Sequence, residues 1–386
     1  MSSPTREAQP PHRGGVTLFR IAGIEIRLDY SWLIIFALIL TSLSAGYFPQ
    51  AYPDQDTVDY WIAGFVGSLL FFASILVHEL SHALMARISG IPVPTITLFL
   101  FGGVSQMKEE AGNPATEFRI AVVGPLTSFA LAGIFWGIGH SLPERIPALT
   151  AAVVHYLAFI NAALGVFNLL PGFPLDGGRM LRAVVWWRTG SLRRATRTAA
   201  DAGKGLAVGL MILGGLQILL AGSLVGGLWL VFIGMFLRST AEAGYQNLVL
   251  LQALEDVTVA DVATRDLVSV STTLSIRELV DDYLLDRGYR AFPVVDTGVV
   301  HGLISVSELR DLPAGARDSV TVRERMIPLT DEIRVAPDLA LTEALEKLPL
   351  VPGGRLLVMR GDELIGMLTK SGLARFVEIR HVLEQT

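Results

Sequence analysis

Long uninterrupted runs of apolar residues dominate the first 240 residues of the chain. At about 1.5 Å per helical residue, runs of this length cross most or all of a hydrocarbon layer of about 30 Å. They lie at about 30–46, 61–86, 118–139, 148–170, 204–221 and 223–238. The last two belong to one uncharged stretch, Leu206 to Leu237, and the Ala221-Gly222-Ser223 break predicts a tight helical hairpin. The pattern predicts a multi-pass α-helical membrane domain of about six spans over residues 30–240.

The pattern changes at about residue 255, where short β-rich runs begin to alternate with helical ones. Residues 291–312 and residues 355–377 follow the same order of strand, turn, strand and helix. A repeated unit of this kind is typical of a pseudo-symmetric pair. The sequence therefore predicts two soluble α/β units, at 255–315 and 316–386.

Two further segments fall outside the apolar runs. Residues 1–29 are polar and contain no cleavable signal pattern, which predicts a tail. Residues 91–107 are too short to cross a membrane, are rich in β-branched and aromatic residues, and contain Gly102-Gly103. A re-entrant hairpin or strand fits this segment, provided that protein or a watery cavity covers its backbone. The alternative is an interfacial loop on the cytoplasmic side.

Composition agrees with a membrane protein. Hydrophobic residues make up 51% of the chain, charged residues 17%, and the mean hydropathy is +0.51. A net charge of −5 argues against a nucleic-acid partner. Since the chain has no cysteine, any zinc site has to use His, Asp or Glu.

The distribution of basic residues predicts the orientation in the bilayer. Loop 47–60 contains three aspartates and no lysine or arginine. Basic residues lie instead in the N-terminal tail and after the fourth run, at Arg6, Arg13, Arg20, Arg27, Arg179, Arg182, Arg188, Arg193, Arg194 and Arg197. Because positive charge favours the cytoplasmic side, an even number of spans places both termini in the cytoplasm.

Three ionisable residues interrupt the second apolar run. His78, Glu79 and His82 follow an uncharged stretch that extends from Trp61 to Val77. On a helix, His78 and His82 are separated by four residues and project from one face, the arrangement that binds Zn²⁺. Glu79 beside them is placed to act as a general base. The alternative is a set of polar side chains that hydrogen-bond between helices, but ionisable groups at membrane depth indicate function first.

A catalytic zinc needs a third protein ligand, and Asp176 is the best candidate. It follows the end of the fourth apolar run, in a turn shaped by Pro171, Pro174 and Gly177-Gly178. The alternative is an ordinary polar loop at a helix end. Asn161, His140 and His155 are interpreted as packing or interfacial residues.

The two motifs together resemble the site-2 protease family of intramembrane zinc metalloproteases. The resemblance rests on His78-Glu79-Leu80-Ser81-His82 and on the Asn168-Leu-Leu-Pro-Gly-Phe-Pro-Leu-Asp176-Gly-Gly segment, with Gly124-Pro125-Leu126 and Phe101-Gly102-Gly103 between them. It implies one zinc on His78, His82 and Asp176, with Glu79 as the base for the water that zinc activates. It also implies that Asn168 holds the substrate strand or the oxyanion, against the alternative of an interhelical hydrogen bond.

The resemblance further implies the substrate class. The substrates would be transmembrane proteins such as an anti-sigma factor, a membrane-tethered regulator or a remnant signal peptide, cut in or near a spanning segment. A helical substrate has to unwind before its carbonyls can be attacked, because they are hydrogen-bonded within the helix. The 91–107 segment would then pair with the unwound peptide by strand addition.

The soluble pair resembles tandem CBS domains, named after cystathionine β-synthase. Such domains often bind adenine nucleotides, and the matching turn in the first unit implies Ser305 and Glu308 as the contacts, with Glu in place of the usual Asp. In the second unit Gly372 stands where the acidic residue belongs, which argues against a second site. A pair that only stabilises the structure or forms a homodimer fits as well as a nucleotide sensor.

Two other classes of function compete with the protease. The first is a CBS-gated metal or ion transporter. Two observations argue against it: the ionisable groups form one compact cluster, and no inverted repeat is visible in the sequence. The second is a scaffold that binds substrates without cutting them, which the presence of Glu79 disfavours. Cleavage by the wild type and by Glu79→Gln distinguishes all three.

Overall fold

The structure is a computed structural model that describes residues 15–100, 102–107, 111–143, 145–254, 256–285 and 289–384. The chain divides into two compact units, one up to Val249 and the other from Leu250 onwards. Among the described residues, six helices are long and apolar enough to span a membrane, at Trp32–Ala51, Thr57–Ile88, Pro114–Ser141, Ala148–Asn168, Leu192–Ala221 and Leu224–Leu250.

The helices of the first unit follow the apolar runs but extend beyond several of them. Their bounds are α1 Trp32–Ser42, α2 Phe48–Ala51, α3 Thr57–Ile88, α4 Pro114–Ser141, α5 Ala148–Asn168, α6 Asp176–Thr189, α7 Leu192–Ala221 and α8 Leu224–Leu254. A π-helical turn at Leu43–Tyr47 joins α1 to α2, so the first span is continuous. Gly222 separates α7 from α8 with a left-handed φ of 65°. Glycine adopts this conformation without steric cost.

A four-stranded sheet belongs to the same unit, with the order β1-β2-β3-β4. The strands are β1 Val16–Ile21, β2 Ile24–Leu28, β3 Thr95–Phe99 and β4 Gly102–Gln106. Strands β2 and β3 are parallel, with Ile26 opposite Ile96, and the other two pairs are antiparallel. Residues 16–28, which the polar pattern assigns to the tail, therefore form a hairpin of this sheet. In β2, Ile24, Ile26 and Leu28 alternate with Glu25 and Arg27, but this alternation spans only five residues, and its parallel partner β3 is distant in the chain.

The sheet is held against the helices by a small apolar core. Ile24 and Ile26 of β2 and Ile96 of β3 are fully buried with Ala83 and Ala86 of α3. Ile120 of α4 joins the same cluster. Helix α4 packs against α3, α5 and α6, and is thus the central helix of the unit. Its position decides how the ionisable residues of α3 meet the N-terminus of α6.

The second unit contains two three-stranded sheets, ordered β5-β6-β7 and β10-β9-β8. Their strands are β5 Ala291–Asp296, β6 Val299–Ser305, β7 Ile327–Pro328, β8 Arg334–Val335, β9 Arg355–Arg360 and β10 Glu363–Thr369. The helices are α9 Val259–Val262, α10 Ile276–Glu278, α11 Val322–Arg325, α12 Leu341–Lys347 and α13 Lys370–Glu384. Leu303 of β6 and Leu357 of β9 are buried in one cluster, so the two sheets share a core.

Candidate metal centre

Helix α3 places the two histidines inside the protein. His78 and His82 are 4% and 3% exposed. Apolar side chains near them on the same helix, such as Val77 and Leu84, are exposed instead. The two rings stand with centroids 4.8 Å apart and planes at 76°. This is the result expected for residues four apart on a helix, which lie on the same face.

Asp176 meets both histidines at one point. Its Oδ2 lies 3.2 Å from Nε2 of His78 and 3.1 Å from Nε2 of His82, and the two Nε2 atoms are 3.2 Å apart. Ligand atoms that bind one zinc tetrahedrally at about 2.0–2.1 Å lie about 3.3 Å from one another. The triangle therefore matches the spacing of three ligands around a zinc ion, with a fourth position left over.

The outer nitrogen of each imidazole has a partner on α4. Nδ1 of His82 donates to the carbonyl oxygen of Ile120 at 2.6 Å, and Nδ1 of His78 lies 2.9 Å from Oγ of Ser128. Because a carbonyl only accepts, the proton of a neutral His82 is on Nδ1 and the lone pair of Nε2 points towards Asp176. With Oδ2 of Asp176, this lone pair offers acceptor atoms to a cation in a buried place, and Nε2 of His78 faces the same point. The donor set thus fits zinc.

Gly124 of α4 provides the space for the imidazoles. A Cβ atom at this position would lie 2.1 Å from Nε2 of His82 and 2.8 Å from Cε1 of His78. Sequence reasoning noted Gly124 only as part of the family resemblance, and it missed Ile120 and Ser128 altogether. No local signal identifies a backbone carbonyl or a helical serine as a partner of residues some 40–50 positions earlier.

The turn before α6 brings Asp176 to the site. Asp176 is the first residue of α6 and is buried. Its turn packs closely on neighbouring backbone, since a Cβ at Gly178 would lie 2.3 Å from the carbonyl carbon of Gly172. Helix α7 supports the turn from the other side, where the amide of Phe173 donates to the carbonyl of Ala199 at 3.1 Å.

Glu79 lies against strand β4. The hydroxyl of Ser105 donates to Oε2 of Glu79 at 3.1 Å, and a Cβ at Gly103 would lie 2.4 Å from Cγ of Glu79. Gly103 and Ser105 are two apart, and therefore share one face of the strand. The 91–107 segment thus folds as a hairpin, and its second strand holds the carboxylate that the motif predicts as the base.

The two asparagines differ in their contacts. Asn161 is fully buried and donates to the hydroxyl of Ser74 at 3.2 Å and to the carbonyl of Leu157 at 2.8 Å, which is an interhelical packing contact. Asn168 is the last residue of α5 and is half-buried. Among the described residues, none hydrogen-bonds the carboxamide of Asn168, so the interhelical bond that was the alternative for this residue is not formed there. Its role towards the substrate stays a prediction.

A cavity of about 760 Å³ lies in the second unit. It is lined by four arginines, two serine hydroxyls and apolar side chains, and the described lining residues include no carboxylate: Val280, Leu284, Leu285, Tyr289, Arg290, Ser305, Val306, Ser307, Leu309, Arg310, Arg317 and Arg355. Burial lowers the pKa of the Arg355 guanidinium, and Arg290 acts in the same direction while Glu308 opposes it. The Nε of Arg317 is buried and finds no hydrogen-bond partner among the described residues.

Ser305 and Glu308 have different positions relative to this cavity. Ser305 lines it, whereas the carboxylate of Glu308 accepts hydrogen bonds from the amide and hydroxyl of Ser305, at 2.9 and 2.5 Å. These bonds form a capping box around the turn at Val306–Leu309. The predicted contact of Glu308 with a ribose therefore stays a prediction. In the second of the two CBS-like repeats, at 316–386, the amide of Gly372 donates to Oγ1 of Thr369 at 3.0 Å.

Comparison with known proteins gives matches to both units. The profile of peptidase family M50 matches residues 66–149 and 144–212, and the CBS-domain profile matches residues 259–315. A Mycobacterium tuberculosis protein named zinc metalloprotease Rip3 is 38% identical over 95% of this chain and 94% of its own length. A zinc metalloprotease of Methanocaldococcus jannaschii is 29% identical over 96% of this chain and 98% of its own length. The solved site-2 protease of that organism is 29% identical, covers 60% of this chain and 95% of its own, and aligns with a TM-score of 0.43.

Proposed function

The chain belongs to the site-2 protease family of zinc metalloproteases, peptidase family M50, and we propose that it cuts other membrane proteins in or near their spanning segments. The predicted family, the predicted zinc metalloprotease activity and the predicted fold class, a multi-pass helical domain followed by a CBS pair, are confirmed. The proposal concerns the residues, the substrate class, the orientation and the regulation.

His78, His82 and Asp176 are proposed to hold one zinc ion. The observation that carries this assignment is the triangle of Nε2, Nε2 and Oδ2 atoms with edges of 3.1–3.2 Å. Zinc held there supplies a Lewis acid for the scissile carbonyl and lowers the pKa of a water molecule. The bond from Nδ1 of His82 to Ile120 and the contact between Nδ1 of His78 and Oγ of Ser128 keep both imidazoles in the orientation that binding requires.

Glu79 is proposed to move the proton. Ser105 occupies its Oε2, and among the described residues none donates to Oε1, which leaves that oxygen to take a proton from water. The same oxygen then passes the proton to the leaving amine of the substrate. Asn168, whose carboxamide has no partner in the described part of the chain, is proposed to hold the substrate strand or the oxyanion.

The test compares the wild type with Glu79→Gln in detergent or in a bilayer. Glu79→Gln keeps the shape of the side chain and removes the base, so cleavage of a transmembrane substrate should fall by at least about 100-fold, the effect of losing a general base, while the zinc content stays at one per chain. Loss of zinc together with cleavage would assign Glu79 a structural role. Unchanged cleavage would overturn the assignment, and metal flux without cleavage would favour a transporter.

Strand β4 is proposed to receive the unwound substrate. It is an edge strand, since only β3 pairs with it among the described residues. Its Gly103 and Ser105 contact Glu79, so a peptide added to this edge would lie beside the proposed base. A segment taken out of a helix has unpaired amides and carbonyls, and a free strand edge satisfies them.

The absence of cysteine allows this to be tested by crosslinking. Val104 is 47% exposed on β4, and Val104→Cys would be the only thiol of the protease. Single-cysteine substrates should form a disulfide with it only when their cysteine lies within a few residues of the cleavage site. Ile88→Cys on α3, where the native side chain is 80% exposed, is the control and should form none although it is the more accessible of the two positions. Crosslinking that is equal at both positions would contradict strand addition.

Both termini are proposed to face the cytoplasm. The support is the arginines that precede the first span, the acidic loop 47–60 and the even number of candidate spans in the described part of the chain. Cysteines introduced at Asp54 and at Arg194 should therefore react with a membrane-impermeant thiol reagent from opposite sides. Labelling of both from one side would overturn the orientation.

The cavity of the CBS pair is proposed to bind a nucleotide that carries several phosphates. Four arginines line the cavity, and the Nε of Arg317 has no hydrogen-bond partner among the described residues. They favour a polyanion, because each guanidinium group can donate two parallel hydrogen bonds to a phosphate group. Calorimetry on the full chain should show affinity that decreases from ATP to ADP to AMP. Arg317→Met should weaken binding, and Arg375→Met on the exposed face of α13 should not. Absence of heat with all three nucleotides would leave the pair a structural or dimerising module.

A further inference from the structure

A buried ion pair connects α4 to α6 at a distance from the proposed zinc ligands. Glu117 lies in the first turn of α4 and is fully buried. Nε of Arg182 donates to Oε1 of Glu117 at 2.5 Å, and Nη2 of Arg182 contacts the same oxygen. The side chain of Arg182 is 12% exposed. Both charges of the pair are thus removed from water.

Each partner is tied to a different side of the metal centre. Glu117 precedes Ile120 by one helical turn, and the carbonyl of Ile120 accepts from Nδ1 of His82. Arg182 follows Asp176 by six residues on the same short helix. The ion pair therefore joins the helix that orients an imidazole to the helix that begins with the carboxylate.

Arg182 also contacts the turn that leads to Asp176. Its guanidinium carbon lies 5.2 Å from the centroid of the Phe173 ring, within the range of a cation–π contact. Phe173 is three residues before Asp176, so the guanidinium contacts the turn that leads to Asp176 and is itself carried by the helix that begins with Asp176. A shift of Arg182 would move both together.

Stability alone does not explain a pair of this kind. Removing two charges from water costs several kcal/mol per ion, and apolar residues of similar volume often stabilise a fold as well or better. What two guanidinium nitrogens on one carboxylate oxygen add is a fixed direction and a fixed distance. At this place they set the position of α6 relative to α4.

We propose that Glu117 and Arg182 are positioning residues that hold the N-terminus of α6, and with it Asp176, at coordinating distance from the imidazoles. This inference rests on the proposed function, because it takes His78, His82 and Asp176 as the zinc ligands. The inference adds Glu117 and Arg182 to the residues that the function needs, although neither of them is a proposed ligand of the metal or of the substrate.

The test is zinc affinity, measured by competition with a chelator. The double variant Glu117→Met with Arg182→Met removes both charges and fills their volume. We expect its zinc dissociation constant to rise at least about 10-fold, the effect of losing a partner that orients a ligand, while its unfolding temperature stays near that of the wild type. The absorption spectrum of the Co²⁺-loaded protein should change as well, since it reports the arrangement of the ligands. Zinc affinity and Co²⁺ spectrum equal to those of the wild type would overturn the proposal.

A second variant decides the matter if the double variant does not fold. Arg182→Lys keeps the positive charge and the apolar stem but loses the fork geometry, so it should also weaken zinc binding with little effect on folding. Wild-type affinity in Arg182→Lys together with an unfolded double variant would make the pair a stability element only. The control is Glu25→Met with Arg27→Met, which removes another ion pair of the same unit and should leave zinc affinity unchanged.

The same measurements separate this inference from the function on which it rests. A wild-type protein that binds no zinc would overturn the proposed function. A wild type that binds zinc and cleaves, with both variants behaving like it, would overturn only the role of Glu117 and Arg182.

Discussion

Gly124 of α4 lies directly against His82 of α3, so closely that a Cβ atom on Gly124 would be 2.1 Å from Nε2 of His82. The same atom would be 2.8 Å from Cε1 of His78. Contacts under 3.0 Å force a displacement, and here the displaced atoms include a proposed zinc-binding nitrogen. The bare backbone of α4 is thus a condition for the geometry of the metal centre.

Gly124→Ala is expected to weaken zinc binding. The added methyl has to push the imidazoles away from Asp176, and the zinc dissociation constant should rise by at least about 10-fold, as for loss of a group that orients a ligand. Gly133→Ala, on the same helix with nothing within 4 Å of the added Cβ, is the matched control. Zinc content after dialysis against a weak chelator measures both. Equal zinc content in the two variants would show that the site tolerates the methyl group.

Ser105→Ala is expected to slow catalysis without releasing zinc. The variant removes the hydrogen bond that holds Oε2 of Glu79 at 3.1 Å, and a bond to a charged acceptor contributes about 1.5–3 kcal/mol. If that energy serves to orient the base, kcat should fall roughly 10- to 100-fold, since about 1.4 kcal/mol is a factor of ten. Single-turnover cleavage and zinc content are measured together. Ser141→Ala, whose hydroxyl bonds only its own helix, is the control. A normal kcat in Ser105→Ala would mean that β4 does not orient Glu79.

The N-terminal hairpin should lose stability in acid. Hydrogen bonds from Thr17 and Arg27, at 2.6 and 2.8 Å, lower the pKa of Glu25 from 4.5 to about 2. Because the folded pKa lies below the unfolded one, this stabilisation is complete above about pH 4.5 and is lost as the pH falls towards 2.

Glu25→Gln should accordingly lower the unfolding temperature at pH 7, by the equivalent of about 1.5–3 kcal/mol for hydrogen bonds to a charged group. The difference from the wild type should shrink as the pH falls below 4. Glu242→Gln at an exposed position of α8 should show no such difference at either pH. A Glu25→Gln difference that stays constant with pH would rule out the carboxylate as its source.

Gly203 of α7 supports the turn that carries Asp176. A Cβ on Gly203 would lie 2.2 Å from the carbonyl oxygen of Phe173, whereas a Cβ on Gly205 meets nothing within 4 Å. Gly203→Ala should therefore weaken zinc binding. It should also lower the free energy of unfolding by about 1–3 kcal/mol, the cost of overpacking, and with it the unfolding temperature. Gly205→Ala should be neutral or slightly stabilising, because alanine favours helices. Identical behaviour of the two variants would exclude α7 from shaping the turn.

Sequence alone predicted the parts of the protein that depend on local pattern. Membrane helices follow from long apolar runs, and the pair His78 and His82 follows from a spacing of four residues on a helix. The family and the activity followed because that spacing was combined with the Asp176 turn. Each of these signals lies within a few tens of consecutive residues.

The rest depends on contacts between distant parts of the chain. The hairpin at 16–28 was missed although Ile24, Ile26 and Leu28 alternate with Glu25 and Arg27, because this alternation spans only five residues and the strand that pairs with β2 is about 70 residues away. The contacts of Ser105 with Glu79 and of Ser128 with His78 depend on the register of β4 and on how α4 packs against α3. A hydroxyl in a strand or helix carries no mark of the partner that tertiary packing gives it.

The most direct test is zinc X-ray absorption spectroscopy on the purified wild type and on Asp176→Ala. We expect one zinc per wild-type chain with two imidazole nitrogens among its ligands and only nitrogen or oxygen donors. Asp176→Ala should lose the metal or show one oxygen ligand fewer from the protein, together with loss of cleavage. A wild type without bound zinc, or an Asp176→Ala protein with the same zinc content, the same spectrum and the same cleavage, would contradict the metal centre built from His78, His82 and Asp176.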